Sequence, residues 1–359
     1  MAERLMIAID AMGGEKAPDM VVQGIEIAHR RHPEAQFLLF GDRAKLEPLL
    51  ARHKAVAEIC QIRHTDVAVS DHDKPSVALR SAKQSSMRLA IEAVASGDAA
   101  GVVSAGNTGA LMAMSKVVLK TLPGIDRPAI ASIVPTQRGE SVMLDLGANI
   151  SCDANNLAQF AILGEVFART VFGMVKPRIA LLNVGEEDLK GHEVLRDAAA
   201  LLRASSLPIH FEGFVEGDDV WAGAVDVVVT DGFTGNVALK TAEGLARLYS
   251  NFLRAAFRSS LLAMLGYLLA RPALNKLRAR LDPRRYNGAM FLGLNGIAVK
   301  SHGSTDAFGF ANAVGVAIDL AAGGFNAKIL HELQALNQAA PANPSQAGVA
   351  PAAQQTTVS

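Results

Sequence analysis

An eight-residue pattern, V-V-[ST]-x-G-x-T-G, occurs twice in the chain, from Val102 to Gly109 (VVSAGNTG) and from Val228 to Gly235 (VVTDGFTG). β-Branched residues favour extended backbone, and glycine with small polar residues favours a tight turn. The Ala- and Leu-containing stretch after each copy favours a helix. Each copy therefore reads as a buried strand that enters a turn and opens a helix, one half of a βαβ unit. A chain that repeats this device is built on a mainly parallel sheet, and two like turns read as two walls of one cleft.

The remaining sequence follows the same alternation. Nine apolar runs read as strands: Met6 to Asp10, Gln36 to Phe40, Ile59 to Ile62, Ala100 to Ser104, Ala129 to Val134, Ser141 to Leu146, Arg178 to Asn183, Ile209 to Gly213 and Asp226 to Thr230. Helical periodicity marks Met20 to Arg31, Ser76 to Ala95, Thr108 to Lys120, Asn155 to Phe172, His192 to Arg203 and Thr234 to Phe257. The expected fold class is α/β, a mainly parallel sheet flanked by helices. Residues 1–335 read as one catalytic unit of two lobes around a cleft, and 336–359 as a disordered tail of low complexity.

Five strand ends carry related turns, DAMGGEKAP, SAGNTG, DLGAN, NVGEED and TDGFTG, which a parallel sheet would gather on one edge. Lys plus Arg balance Asp plus Glu at 35 each, so no global field recruits nucleic acid. Cys60 and Cys152 lie outside any CxxC, which fits buried thiols in a reduced cytosolic protein. The apolar start of the chain breaks at Asp10 and reads as a first core strand, with no signal peptide. The longest apolar run, Leu261 to Ala270, is about half of the roughly 20 residues that a spanning helix requires.

Nucleotide and nucleophile fingerprints are absent: the sequence has no G-x-G-x-x-G after its first strand, no P-loop and no G-x-S-x-G. No His pair has metal-ligand spacing, and Glu186, Glu187, Asp188 and His192 read better as a solvated acidic loop than as a cation site. Neither a metal nor another cofactor is expected. What remains is an anion site, because turns rich in Gly, Ser, Thr and Asn that lead into helix N-termini present unpaired N–H groups. Side-chain donors would come from Ser104, Asn107 and Thr108 on the first turn and from Thr234 and Asn236 on the second. Arg80 and Lys83, three apart in SVALRSAKQSSM, would share one helical face and add positive charge.

At this point IAIDAMGGEKAP, SVALRSAKQSSM, SAGNTGALMA, LDLGAN, NVGEE, VVVTDGFTGNVALK and YNGAMFLGLNGIAVKSHG together resemble the bacterial phosphate acyltransferase family of phospholipid synthesis, over residues 5–335. The resemblance implies a fold similar to isopropylmalate dehydrogenase and phosphotransacetylase. It also implies transfer of an acyl group from acyl-[acyl carrier protein] to inorganic phosphate, a homodimer, no metal, and a cytoplasmic, peripherally membrane-associated protein. A membrane glycerol 3-phosphate acyltransferase would consume the product. Departures from the family pattern are Glu15, Thr230, Phe214 and Asp218, and Thr230 argues against a covalent thiol intermediate.

On this reading phosphate rests on Ser104, Gly106, Thr108 and Gly109 with Arg80 or Lys83. The acyl oxyanion takes donors from Asp231, Gly232, Thr234, Gly235 and Asn236. Lys83, Asn107, Asp231, Asn236 and His302 are the candidate catalytic residues, with Asn149, Asn183 and Lys300 as further substrate contacts. Lys300 and His302 are alternatives for a general acid, and structural roles stay open for both.

One segment stands apart. Between Arg254 and Arg285 eight basic residues face a single acid, Asp282, a net charge of +7 around the apolar LLAMLGYLLA. It reads as a short apolar helix and a basic one, split by Pro272. Three uses are open: a hairpin dipping into an anionic membrane surface, a docking face for acidic acyl carrier protein, or a core hairpin with solvated arginines. The contact residues would be Leu261, Leu265, Leu268, Arg271, Lys276, Arg278 and Arg280.

Overall fold

A computed structural model describes residues 5–205 and 209–339. Its strands are β1 (Leu5–Asp10), β2 (Ala35–Gly41), β3 (Cys60–His64), β4 (Gly101–Ser104), β5 (Ala129–Thr136), β6 (Gly139–Leu144), β7 (Arg178–Leu182), β8 (His210–Val215), β9 (Val227–Val229), β10 (Ala289–Leu292) and β11 (Ile297–Lys300). The helices are α1 (Asp19–Arg31), α2 (Arg43–Arg52), α3 (Lys54–Ala57), α4 (Pro75–Ser81), α5 (Ser86–Ala95), α6 (Thr108–Leu119), α7 (Ala154–Phe172), α8 (Glu193–Ala204), α9 (Gly217–Ala222), α10 (Gly232–Phe257), α11 (Leu261–Arg280), α12 (Ala307–Ala322) and α13 (Phe325–Ala339).

All the strands join one sheet, in the order β3-β2-β1-β4-β11-β10-β5-β6-β9-β7-β8. Helices cover both faces, so successive strand residues bury in opposite directions: Ile7, Ile9 and Val103 on one side, Ala8 and Val102 on the other. The first face carries one continuous core, in which α1 and α12 pack together and α7 lies over the far half. On the second face the core divides into a cluster under α5 and α6 and another around Met143, Val228 and Leu182.

Three antiparallel steps, β11 to β10, β10 to β5 and β5 to β6, reverse the strand direction between the halves. The five glycine turns therefore do not share one edge, as a uniformly parallel sheet would require. The first two follow β1 and β4; the other three follow β6, β7 and β9, which run the opposite way along the sheet. From β4 to β9 the sheet takes five strand steps, and at the usual twist these add up to a rotation of about 100 to 125°. That rotation turns the carboxyl end of β9 back toward the side that β4 faces. His302, just beyond β11, lies near enough to α10 to feel the charges of Lys240 and Glu243.

Other local expectations also change. Ser76 to Ala95 is two helices, because the chain leaves α4 at Ala82 and Ser85 caps a new helix by accepting from the Arg88 N–H. Arg80 and Lys83 consequently share no helical face. The strands β10 and β11 come from YNGAMFLGLNGIAVK, too short and glycine-broken to show a period. The helix α13 runs through Ala339, so residues 336–339 are helical, and the remainder of the expected tail lies outside the described residues. Pro272 sits inside α11 and does not split it; the hairpin is made of α10 and α11, closed by Phe257 and Tyr267 with ring centroids 5.3 Å apart. Only Gly232 and Gly235 of α10 are buried and no residue of α11 is, so in the single chain this is not a core hairpin. Among the described residues no single helix is long and apolar enough to cross a membrane.

Candidate active site

Each wall is organised by a buried aspartate that ends an apolar run. Asp10, at the end of β1, receives the Ser86 hydroxyl on Oδ1 and the Ser104 hydroxyl on Oδ2, both at 2.6 Å. Ser104 Oγ in turn accepts the Gly106 N–H at 3.0 Å, so one carboxyl group sets the course of the whole first turn. Burial pushes Asp10 above the usual carboxylate range, against the opposing pull of its hydroxyl and amide donors. A Cβ on Gly13 would stand 2.5 Å from Asp10 Oδ2, which explains why the chain carries no side chain there.

Asn107 caps α6 through Oδ1, which accepts the Ala110 N–H at 3.0 Å. Its Nδ2 donates to the carbonyls of Asp71 at 2.9 Å and Asp73 at 3.0 Å. Pro75, at the start of α4, packs against Gly109, where a Cβ would meet its ring at 2.5 Å. The side chains of Ser104 and Asn107 are thus occupied in building the turn. The groups left for an anion are the N–H groups of Thr108 and Gly109 in the first turn of α6, which find no acceptor among the described residues, and the exposed Thr108 hydroxyl.

Lys300 ends β11 directly beside Ser104 in the strand register. Its ammonium lies against the carbonyls of Ala105, at 3.3 Å, and Ser301. Burial pulls it down to about 8, although Asp71 and Asp10 favour its charge. His302 is exposed; its Nδ1 faces the Ser304 N–H at 3.3 Å, an arrangement that leaves the ring proton on Nε2. Desolvation and the nearby cations Lys300 and Lys240 hold it below the usual imidazole range, so it is neutral near pH 7. Arg80 is exposed and its Nε donates to the Ser76 carbonyl, while Lys83 is exposed in the loop three residues before Ser86.

The second wall repeats the plan. Asp145 follows β6, is fully buried, and accepts N–H groups from Ile130, Gly147 and Ala148 on Oδ1. Its Oδ2 accepts both the backbone and the side-chain amide of Asn149 at 2.8 Å. Again burial outweighs these donors and raises the carboxyl. Asp231 caps α10 by accepting Thr234 N–H and Oγ–H, both at 2.8 Å, and Asn236 Nδ2 donates to the Leu146 carbonyl at 3.1 Å. The Gly232 amide is spent on the Asn149 carbonyl at 2.7 Å and the Gly235 amide on Asp231. Most of the second turn's donors are thus committed internally, and the N–H groups of Asp231 and Phe233 are those with no acceptor among the described residues. Asn183, at the end of β7, donates to the Lys190 carbonyl and keeps a buried Oδ1 without a partner.

Sequence reasoning passed over Asp10, Ser86 and Asp145. The signal was present, since IAID and VMLD both end an apolar run on an aspartate that glycine follows within a few residues. Among the described residues no group of His, Cys, Asp and Glu is placed to hold a metal ion.

Comparison with known proteins agrees with this architecture. The solved structures that resemble the chain include a phosphotransacetylase from Streptococcus pyogenes, with a TM-score of 0.63, 15% identity and coverage of 90% of this chain and 95% of that one. A EutD phosphotransacetylase from Staphylococcus aureus matches with a TM-score of 0.55 at 14% identity, over 93% of this chain and 94% of the other. At such identities the likeness is one of fold. Curated relatives are much nearer: a protein named phosphate acyltransferase from Rhodospirillum centenum is 65% identical over 339 residues, 94% of this chain and 96% of the relative. Another of that name, from Rhodospirillum rubrum, is 64% identical over 93% of this chain and 95% of its own length. The family model described as fatty acid synthesis protein matches residues 5–328, and the chain belongs to that family.

Proposed function

We propose that the chain transfers a fatty acyl group from acyl-[acyl carrier protein] to inorganic phosphate, giving acyl phosphate for the acylation of glycerol 3-phosphate. The observation that carries this reading is the 64 to 65% identity, over nearly the full length, to proteins named phosphate acyltransferase, and the unpaired N–H groups that open α6 are in keeping with it. Phosphate rests on the free N–H groups of Thr108 and Gly109 at the positive end of α6, with the Lys300 ammonium beside the same turn. Arg80 and Lys83, exposed on α4 and in its following loop, are assigned to this seat as further cations. Phosphate is already a nucleophile near neutral pH, so the protein's task is to orient it against the thioester carbonyl and to stabilise the oxyanion that forms. The Phe233 N–H, with the Asp231 N–H in the same turn, and His302 Nε2–H are donors left for that oxyanion. The carrier's thiolate leaves readily, because its parent thiol titrates at about 8.5. The decisive assay is formation of acyl phosphate from acyl carrier protein thioester and labelled phosphate, with acyl-coenzyme A as the competing substrate. No acyl phosphate from either thioester would refute the reading.

Lys300 gives this proposal a pH signature. With its ammonium titrating at about 8, the lysine is charged below that pH and neutral above it. The kcat/KM for phosphate is therefore expected to fall as pH rises through about 8, approaching tenfold per pH unit. In Lys300→Met this alkaline limb disappears and KM for phosphate rises at all pH values. An unchanged alkaline limb in the variant would remove Lys300 from the phosphate seat.

For the hairpin we favour assembly as a homodimer in the cytoplasm with peripheral attachment to an anionic membrane, where a glycerol 3-phosphate acyltransferase would take the product. Leu261 is 84% exposed, Leu265 55% and Leu268 60%, with Arg271 and Arg278 on the same helix. Leu265→Glu is expected to abolish flotation with anionic liposomes and to leave acyl phosphate formation in solution intact. Flotation equal to wild type would exclude insertion at this point.

A further inference from the structure

A cavity of about 980 Å³ lies away from both glycine turns, between the last turns of α11, the β5–β6 turn and the start of β7. Its charged lining comprises Arg138, Arg178, Lys276, Arg280 and Arg285 against Glu140 and Asp226, five charges less two, a net of +3. Asp226 is already taken by Arg178, with Nη2 to Oδ1 at 3.3 Å. Arg280 donates to the carbonyls of Thr136 at 3.2 Å and Gln137 at 2.6 Å, which fixes its guanidinium at the rim without neutralising it. Arg138, Lys276 and Arg285 form no ion pair among the described residues. Phe172, Met174 and Ala279 add apolar surface to the lining.

Gathering unneutralised cations around one concavity is unfavourable unless an anion shares it. The donors are mostly guanidinium groups, whose planar fork fits two phosphate oxygens at once. The apolar part of the lining suits a short aliphatic stem. We infer that this cavity is a binding site for a phosphate ester, separate from the catalytic phosphate seat. The site also divides the basic helix by role: Lys276 and Arg280 line the cavity, whereas Arg278 lies over the Tyr267 ring with its Cζ 5.8 Å from the centroid.

The test uses the full chain and the double variant Arg138→Gln, Arg285→Gln, both exposed positions outside the catalytic turns. By calorimetry, wild type is expected to bind inorganic phosphate at one more site per chain than the variant, or to bind it at least about tenfold more tightly there. The KM for phosphate stays the same in both. Cosedimentation with phosphatidylcholine vesicles, with and without phosphatidic acid, separates the sources of the ester. Loss of the phosphatidic-acid-dependent binding in the variant assigns a lipid headgroup; phosphate binding lost with vesicle binding intact assigns a soluble ester. Phosphate stoichiometry, phosphate affinity and vesicle binding that all match wild type overturn the site.

Discussion

Gly235→Ala is expected to abolish phosphate-dependent turnover and to lower stability by about 3 kcal/mol, the upper part of the usual range for overpacking a buried site. A Cβ at this position would fall inside the contact radius of the Asp145 carbonyl oxygen and 2.8 Å from Thr230 Cγ2. Neither neighbour can yield. The Asp145 N–H is bonded to the Thr230 carbonyl at 2.9 Å, and the Thr230 N–H to the Leu144 carbonyl, so both belong to the β6–β9 ladder. The strain must move α10, and with it the cap at Asp231 and the donor at Phe233. A control lies in the same helix: a Cβ on Gly244 meets nothing within 4 Å. Gly244→Ala is expected to raise stability by up to about 1 kcal/mol through helix propensity alone. Urea midpoints read both effects, and a destabilisation shared equally by the two variants would mean that the second turn is not tightly packed on Asp145.

This contrast shows what the repeated pattern was recording. V-V-[ST]-x-G-x-T-G was legible as strand, turn and helix because β-branching, glycine and capping residues act locally. In the second copy the glycines are there for close approach to a carboxylate-anchored loop: Gly232 to the Asn149 carbonyl, at 2.6 Å for an added Cβ, and Gly235 to Asp145. That partner lies some 90 residues away in sequence, beyond the reach of any local rule. The same limit explains the reassigned amides. Ser104 and Asn107 look like free donors until Asp10 and the 70–73 loop are seen to occupy them. Strand direction was equally hidden. Short apolar runs report burial and say nothing of whether a neighbour runs parallel, and the two strands that carry much of the reversal, β5 and β10, pair on both sides with antiparallel neighbours. The mainly parallel α/β class was nonetheless readable, since two-face burial makes strands apolar throughout.

The first wall should be still more sensitive to its anchor. Asp10→Ala would leave the Ser86 and Ser104 hydroxyls without an acceptor at positions where both residues are almost wholly buried. At about 1 to 3 kcal/mol for each orphaned polar group, the loss is on the order of 2 to 6 kcal/mol, enough to endanger folding. Asp10→Asn keeps an oxygen acceptor for one hydroxyl and sheds the penalty of a buried charge, so it should retain most of the stability. It nevertheless places an NH₂ donor against the other hydroxyl, and if that is Ser104 its O–H loses its buried acceptor and must turn away, which disturbs the bond its Oγ accepts from the Gly106 N–H. The expected reading is a raised KM for phosphate in Asp10→Asn at near-normal stability. Ser86 lies on the far side of the carboxyl, so Ser86→Ala removes a donor without disturbing that relay. Combined with Asp10→Ala it also removes one of the two orphans. The double variant should therefore be more stable than the sum of the single losses implies, by a coupling of about 1 to 3 kcal/mol. Strict additivity in the cycle would mean that Asp10 does not hold the Ser86 hydroxyl, and that half of the account of the first wall would fall with it.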